Sequence, residues 1–205
     1  MAIFHNSRLM ILAAGICILS TLAAPAVAQQ KQSKDDSAKA TTADAAIGEP
    51  TAEHKRLAAL EGTWDQEIKI WLAPGKDPMV LKGTAQNKMI LGGRFLQTQS
   101  EFSGSGLQAE ALLIMGYDRR FSQYTLVDFD SAGTFYVTAA GSFDTARNAF
   151  VLSGEETQAA GAPGSKYDNI ITLLSPDKYR TEIIFKKMAG AEGFKAVEIT
   201  CTRAR

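Results

Sequence analysis

Between Trp64 and Arg203 the chain consists of short stretches in which apolar and polar residues alternate. Such alternation is typical of strands with one buried face and one solvent-facing side. In the first stretch every second residue from Trp64 to Leu72 shares one face, and Gln66 is its polar member. The pattern predicts ten strands, at about Trp64–Leu72, Met79–Leu91, Arg94–Phe102, Leu107–Asp118, Gln123–Asp130, Phe135–Phe143, Ala149–Glu156, Tyr167–Leu174, Tyr179–Lys187 and Lys195–Arg203.

Turn-forming residues separate these stretches. Gly92-Gly93 predicts a tight hairpin, and Ser103–Gly106, Asp130–Gly133 and Ser175–Asp177 predict short loops. Parallel neighbours need a crossover of roughly a dozen residues or more, so the strands are predicted to be antiparallel. A long meander can close on itself and remove its edges, whereas a sandwich needs longer connections. The sequence therefore predicts an all-β fold, an up-and-down barrel of about ten strands.

The region before the first strand has two parts. Residues 29–50 are rich in Lys, Asp, Ser, Thr and Ala, and Ile47 is their one large apolar residue. Such a composition buries too little surface to fold, so a disordered tether is predicted. Thr51–Leu60 contains helix formers and is followed by Gly62, which predicts a short N-terminal helix. Residues 51–205 are then expected to form one domain.

The first 28 residues have the pattern of an export signal. His5 and Arg8 precede an apolar run from Leu9 to Ala24, and Ala26-Val27-Ala28 offers a small-x-small cleavage site. Cleavage after Ala28 would leave Gln29 at the new N-terminus. The run of roughly 16 apolar residues is shorter than the ~20 of a spanning helix, which disfavours an uncleaved anchor. The protein is therefore expected to be exported, to the periplasm or the medium, with no membrane span after cleavage.

Composition narrows the possible functions. The 22 basic residues balance the 22 acidic ones, and four of each precede residue 51, so the predicted barrel itself is neutral. This balance gives no electrostatic footprint for nucleic acid or for anionic lipid. After removal of Cys17 with the signal, Cys201 stays as the single cysteine, so no intramolecular disulfide is expected. A monomer or a weak homo-oligomer is expected.

A Gly-x-Trp element, Gly62-Thr63-Trp64, stands at the entrance to the first strand, and Arg203 stands at the end of the last. In this combination the chain resembles the lipocalin or calycin superfamily. The resemblance implies that Trp64 closes one end of the barrel and that Arg203 stacks on its indole ring. It implies a structural role for Gly62, Trp64 and Arg203.

Further segments of recognisable sequence extend over nearly the whole domain. They are His54–Leu57, Gly62–Trp64, Trp71–Gly75, Met89–Leu96, Gly116–Asp118, Tyr124 with Asp130–Thr134, and Glu198-Ile199 with Arg203. In these segments the chain resembles the bacterial family called Domain of Unknown Function 1579. The resemblance implies a calycin-like barrel in an exported protein and carries no established activity.

His54 is the one histidine that follows the predicted export signal. Similar barrels that hold haem do so through a strand or loop histidine, whereas His54 lies on the predicted helix beside Lys55 and Arg56. A packing or helix-surface role is favoured over catalysis, because the sequence offers it no evident acid partner. No cofactor and no metal are predicted.

Three carboxylates form the most suggestive candidates for chemistry. Asp128 and Asp130 are spaced to share one strand face, and Asp118 belongs to the preceding strand. Two acids in one pocket can act as acid and base because like charges drive their pKa values apart. The favoured interpretation is that Asp128 and Asp130 end a strand and begin a turn. An enzyme that uses this cluster is retained as an alternative.

The leading hypothesis is a non-enzymatic protein that binds a small apolar or amphipathic molecule inside its barrel, since a closed meander with a helix at one end has room for one small ligand. Polar side chains among apolar ones on an inner face would orient it. A shift of one residue in a strand would turn its candidates outward. A second alternative is an envelope accessory or interaction protein that acts through its outer surface. The candidate ligand-binding residues are Phe95, Gln97, Gln99, Thr125, Tyr167, Asn169 and Thr181.

Overall fold

The computed structural model describes residues 48–157, 164–188 and 191–205. The predicted export signal, its cleavage position at Ala28 and Gln29, and the predicted tether up to residue 47 lie outside the described residues. In the part of the chain that is described, no helix combines the length and the apolar character that crossing a membrane would require.

Ten antiparallel strands form one closed barrel, which confirms the predicted all-β fold. Each strand pairs with the next along the chain, and the last strand pairs with the first, so the sheet has no free edge. The strands are β1 Gly62–Ile70, β2 Met79–Ile90, β3 Phe95–Gly104, β4 Leu107–Asp118, β5 Gln123–Asp130, β6 Tyr136–Asp144, β7 Ala149–Glu156, β8 Ser165–Ser175, β9 Lys178–Met188 and β10 Ala191–Arg203.

Two strand boundaries near the turns that flank β1 and β3 differ from the predicted ones. β1 ends at Ile70, and Leu72, predicted on its buried face, is 77% exposed beyond the strand end. The connection between β2 and β3 is a four-residue turn, Leu91–Arg94, in which Gly92 and Gly93 have φ of 67° and 80°. Arg94, predicted to begin a strand, belongs to this turn, so β3 begins one residue later.

A short helix closes one end of the barrel. Helix α1 covers Ala52–Leu57 and continues as a 3₁₀ turn over Ala58–Leu60. Leu57 and Leu60 are 0% and 3% exposed and pack into the core. Arg56 donates a hydrogen bond to the Tyr124 hydroxyl (3.2 Å) and lies 4.4 Å from the centre of the Phe143 ring. The helix therefore seals this end through both apolar and polar contacts.

Trp64 and Arg203 meet at the same end. The Arg203 guanidinium carbon lies 4.2 Å from the centre of the Trp64 ring. Its Nη1 donates to the Glu61 carbonyl (2.8 Å), and its Nε donates to Asp177 Oδ1 (3.0 Å). Gly62 has φ of 127°, and a Cβ at this position would collide with Arg203 Nη1. Both the backbone conformation and the closeness of the guanidinium therefore require glycine here.

Aromatic rings fill the barrel next to the helix. Tyr124 and Phe150 meet edge to face at 4.9 Å, and Phe143 meets Phe150 at the same distance. Trp64 and Tyr179 are also edge to face, 4.7 Å apart. This geometry suits the quadrupoles of the rings and leaves this end of the interior densely packed.

Candidate functional site

The barrel encloses a cavity of about 100 Å³. Its lining residues come from the 3₁₀ turn, from β1 to β5 and from β8 to β10. Most of the lining is apolar, as in ligand sites that place a few polar groups on a hydrophobic wall. The apolar walls include Ile68, Leu96, Leu113, Ile171, Ile183 and Ile199.

Three buried amide side chains also line the cavity. Gln66, Asn87 and Asn169 are 8%, 5% and 4% exposed, and the side-chain oxygen of each has no hydrogen-bond partner in the described part of the chain. The orientation of Asn87 is set by its Nδ2, which donates to the Leu60 carbonyl (2.8 Å) and to the Tyr179 hydroxyl (3.2 Å). A buried polar atom without a partner costs roughly 1–3 kcal/mol. The cavity therefore presents three acceptors that a bound molecule could satisfy.

Asp128 is the carboxyl group of the cavity lining. Burial, and then the charge of Asp130, raise its pKa from 3.8 to about 7. Burial together with the charges of Glu156 and Asp128 raises the pKa of Tyr167 to about 12. Burial and Asp130 likewise raise the pKa of Glu156. Acidic groups on β5 and β7 thus share one electrostatic environment near the cavity.

The predicted ligand-binding residues divide between the two sides of the barrel wall. Asn169 and Thr181 line the cavity. Tyr167 is buried on the inner side, where its hydroxyl donates to the Thr138 carbonyl (3.0 Å). The other four, Phe95, Gln97 and Gln99 on β3 and Thr125 on β5, lie on the outer face of the barrel.

The inner positions of β3 are Leu96, Thr98, Ser100 and Phe102, all of which line the cavity. The predicted inward orientation of Phe95, Gln97 and Gln99 is therefore corrected by one residue. Pairing with β2 shows the face directly, because the inner pair is Met89 with Leu96 and the outer pair is Ile90 with Phe95. A shift of one residue turns every side chain of a strand to the other face.

On β5 the inner positions are Tyr124, Leu126 and Asp128, and the first two are 2% and 1% exposed. Thr125 lies between them, and so its side chain is on the outer face and its predicted inward orientation is corrected. Asp130 takes the turn role proposed for both acids, since its Oδ1 accepts the N–H groups of Ala132 (2.8 Å) and Gly133 (3.2 Å).

Several cavity residues were not among the predicted binding residues. Gln66 lies on the predicted apolar face of β1, and Asp128 follows Leu126 at a spacing of two, so alternation contained a signal for both. Asn87 likewise stands two residues after Ala85, a buried apolar residue of β2. Alternation alone did not identify these residues as cavity residues, because polar residues also occupy alternating positions near strand ends.

The three carboxylates of the enzyme alternative do not form one site. Asp118 pairs with Gln123, whereas Asp128 pairs with Leu113, so five residues of β5 separate them, roughly 17 Å. Asp118 forms a bidentate pair with Arg120, with distances of 3.0 and 2.6 Å, and the Arg120 hydrogen bonds lower its pKa to about 2. Among the described residues no group of three or more His, Cys, Asp or Glu side chains is placed to hold a metal ion.

His54 belongs to the closed end of the barrel. It is 5% exposed, and its Nδ1 accepts the backbone N–H of Thr51 (3.0 Å) at the start of α1. Burial is the main cause that lowers its pKa. The side chain therefore satisfies a backbone donor at the helix start.

The fold and the interior define a closed, ten-stranded antiparallel barrel that is plugged by a helix at one end and holds a small cavity. Residues 49–203 match the model of a family described as a protein of unknown function, DUF1579, and the chain belongs to this family. Its fold is similar to that of Rv2717c from M. tuberculosis, whose crystal structure aligns with a TM-score of 0.55 at 14% sequence identity. The alignment covers 77% of this chain and 100% of that chain, and at this identity the likeness concerns the fold alone. A search of curated proteins finds no match.

Proposed function

We propose that the protein binds a small amphipathic molecule inside its barrel. The observation that carries this proposal is the set of three buried amide oxygens, on Gln66, Asn87 and Asn169, that lack a partner and face an apolar cavity. Together they impose a cost of several kcal/mol if they stay unpaired. A molecule that donates hydrogen bonds to them while covering the apolar walls would recover that cost.

The rest of the barrel supports this proposal. The helix and the Trp64–Arg203 pair hold one end closed, so a ligand would be held in a rigid, preformed interior. Preorganisation of this kind reduces the entropy lost on binding. We further propose that the barrel is of the lipocalin or calycin type, supported by Gly62, Trp64 and Arg203 at the closed end, and that it acts outside the cytoplasm, supported by the sequence of residues 1–28.

Native mass spectrometry of the protein purified from its own host tests the proposal. We expect a bound species that is lost on denaturation. In a Thr98→Leu variant, which fills part of the cavity, the bound species should be absent or strongly reduced. Gln97→Leu is the matched control, because it adds a similar side chain at the next position on the outer face.

Thermal unfolding of both variants establishes that they fold. The proposal is wrong if the wild-type protein carries no bound molecule and a crystal structure shows only water in the cavity. It is also wrong if Thr98→Leu and Gln97→Leu retain the bound species equally.

A further inference from the structure

We infer that the polar end of the bound molecule is a protonated amine, for which Asp128 provides the counter-ion and the cavity amide oxygens provide further acceptors. This inference rests on the proposed function and names the chemical class of its ligand. Three properties of the cavity support it: its hydrogen-bonding groups, its charges and its size.

Among the fully buried side-chain nitrogen and oxygen atoms of the lining in the described chain, those without a partner are all acceptors. They are the side-chain oxygens of Gln66, Asn87 and Asn169. The donor group of Asn87 is already used, and Gln66 Nε2 donates weakly to Cys201 Sγ at 3.7 Å. An ammonium group has three donors and no acceptor, so it complements this set. A carboxylate or a phosphate brings only acceptors, and an alcohol brings a single donor.

The charges of the lining have one sign. Asp128 is its carboxyl group, and the described lining contains no Lys, Arg or His. Two further acids lie close enough to influence the same region, Asp130 on β5 and Glu156 on β7, and Tyr167 faces them from β8. A cation that enters the cavity gains most from Asp128, because this carboxyl group belongs to the cavity lining, where solvent screens charges less than at the surface.

The volume limits the rest of the molecule. About 100 Å³ bounded by Ile68, Leu113 and Ile183 accommodates a short alkyl body. Such a chain removes apolar surface from water at roughly 0.8 kcal/mol per CH₂ group. The expected ligand class is therefore a small primary amine with a few carbon atoms.

Calorimetry with butylamine, 1-butanol and butyrate tests this class directly. We expect butylamine to bind at least tenfold more tightly than 1-butanol and butyrate not to bind. Asp128→Asn should weaken butylamine binding by about 10- to 100-fold, the size of a charge-assisted hydrogen bond, and leave 1-butanol unchanged. Asp168→Asn is the matched control, since Asp168 forms an ion pair with Lys186 (2.7 Å) on the outer side of β8.

A second measurement reports on Asp128 itself. Because burial and Asp130 raise the pKa of Asp128 to about 7, its carboxyl group is mostly protonated at pH 6. Formation of a carboxylate–ammonium pair then releases that proton to the buffer. Titrations at pH 6 in two buffers of different ionisation enthalpy should show release of most of one proton in the wild type and none in Asp128→Asn.

The inference is wrong if 1-butanol binds as tightly as butylamine. It is also wrong if the Asp128→Asn and Asp168→Asn variants bind butylamine equally. Neither result would contradict the proposed function. If none of the three compounds binds, the amine class is wrong, and the molecule carried by the host-purified protein decides the proposed function separately. A co-purified molecule without an amine also overturns the inference.

Discussion

The aromatic-packed part of the barrel interior and the cavity beside it differ in how their polar atoms are satisfied. At the helix end, Trp64 Nε1 donates to the Leu60 carbonyl (2.9 Å) and the Tyr124 hydroxyl donates to the Glu53 carbonyl (3.1 Å). In the cavity, three amide oxygens have no partner in the described chain. A well-packed region next to one with uncompensated polar atoms indicates that stability is concentrated at the first and that the second is available for function.

The largest effect is expected at the closed end. Trp64→Ala removes a ring that is 1% exposed and its contacts with Tyr179 and Arg203, so the free energy of unfolding should fall by about 3–5 kcal/mol. Urea denaturation measures it. Trp71→Ala is the control at the other end, where Lys195 Nζ lies 5.3 Å from the ring centre, and a loss of only about 1 kcal/mol is expected. Equal losses would show that stability is not concentrated at the helix end.

The next effect depends on pH. Because burial and Asp130 raise the pKa of Asp128 from 3.8 to about 7, the folded protein holds more protons than the unfolded chain between these values. Stability from this group is complete below pH 4 and is lost as the pH rises to 7. Asp128→Asn should therefore raise the free energy of unfolding by up to about 4 kcal/mol at pH 8 and change it little at pH 4.

The difference between Asp128→Asn and wild type, measured by denaturation across this range, isolates Asp128. His54 titrates in both proteins, and because its pKa is lowered it acts with the opposite sign. A difference that does not vary with pH would show that Asp128 is not buried in the folded protein.

Gly62→Ala should cost about 2 kcal/mol. The new side chain would occupy a φ of 127° and would displace the Arg203 guanidinium from the Glu61 carbonyl. Thermal unfolding measures the loss, and Gly75→Ala provides a comparison at φ of 71° with no neighbouring atom within 4 Å. If both variants lose the same stability, the contact with Arg203 contributes nothing.

The smallest effect is expected to be a gain. Asn169→Leu replaces a buried amide oxygen that has no partner with an apolar group of similar size, so stability should rise by up to about 1 kcal/mol. Asn87→Leu should instead lower stability, because Asn87 donates two hydrogen bonds. Chemical denaturation of both variants checks the signs, and a loss in Asn169→Leu would mean that its oxygen is satisfied in solution.

The strand order and the closure of the barrel could be predicted because alternation and short turns depend on neighbouring residues. The cavity could not be predicted in the same way. Its existence depends on how far side chains such as Ala111 and Leu113 reach across the interior, which no local pattern records. The face of β3 was assigned incorrectly because Phe95 and Leu96 are adjacent and both apolar, so alternation alone does not show which of them points inward.

The pairing of β1 with β10 also has a kinetic consequence. Arg203 bonds to the carbonyl of Glu61, 142 positions earlier in the chain, so the closed end forms only when the final strand is present. Contacts between such distant parts of a chain make folding slow, because loop closure must precede any gain in contacts. Until the final strand joins, β1 and β9 would both have unpaired edges, and during this interval the chain would be most prone to pair with other chains.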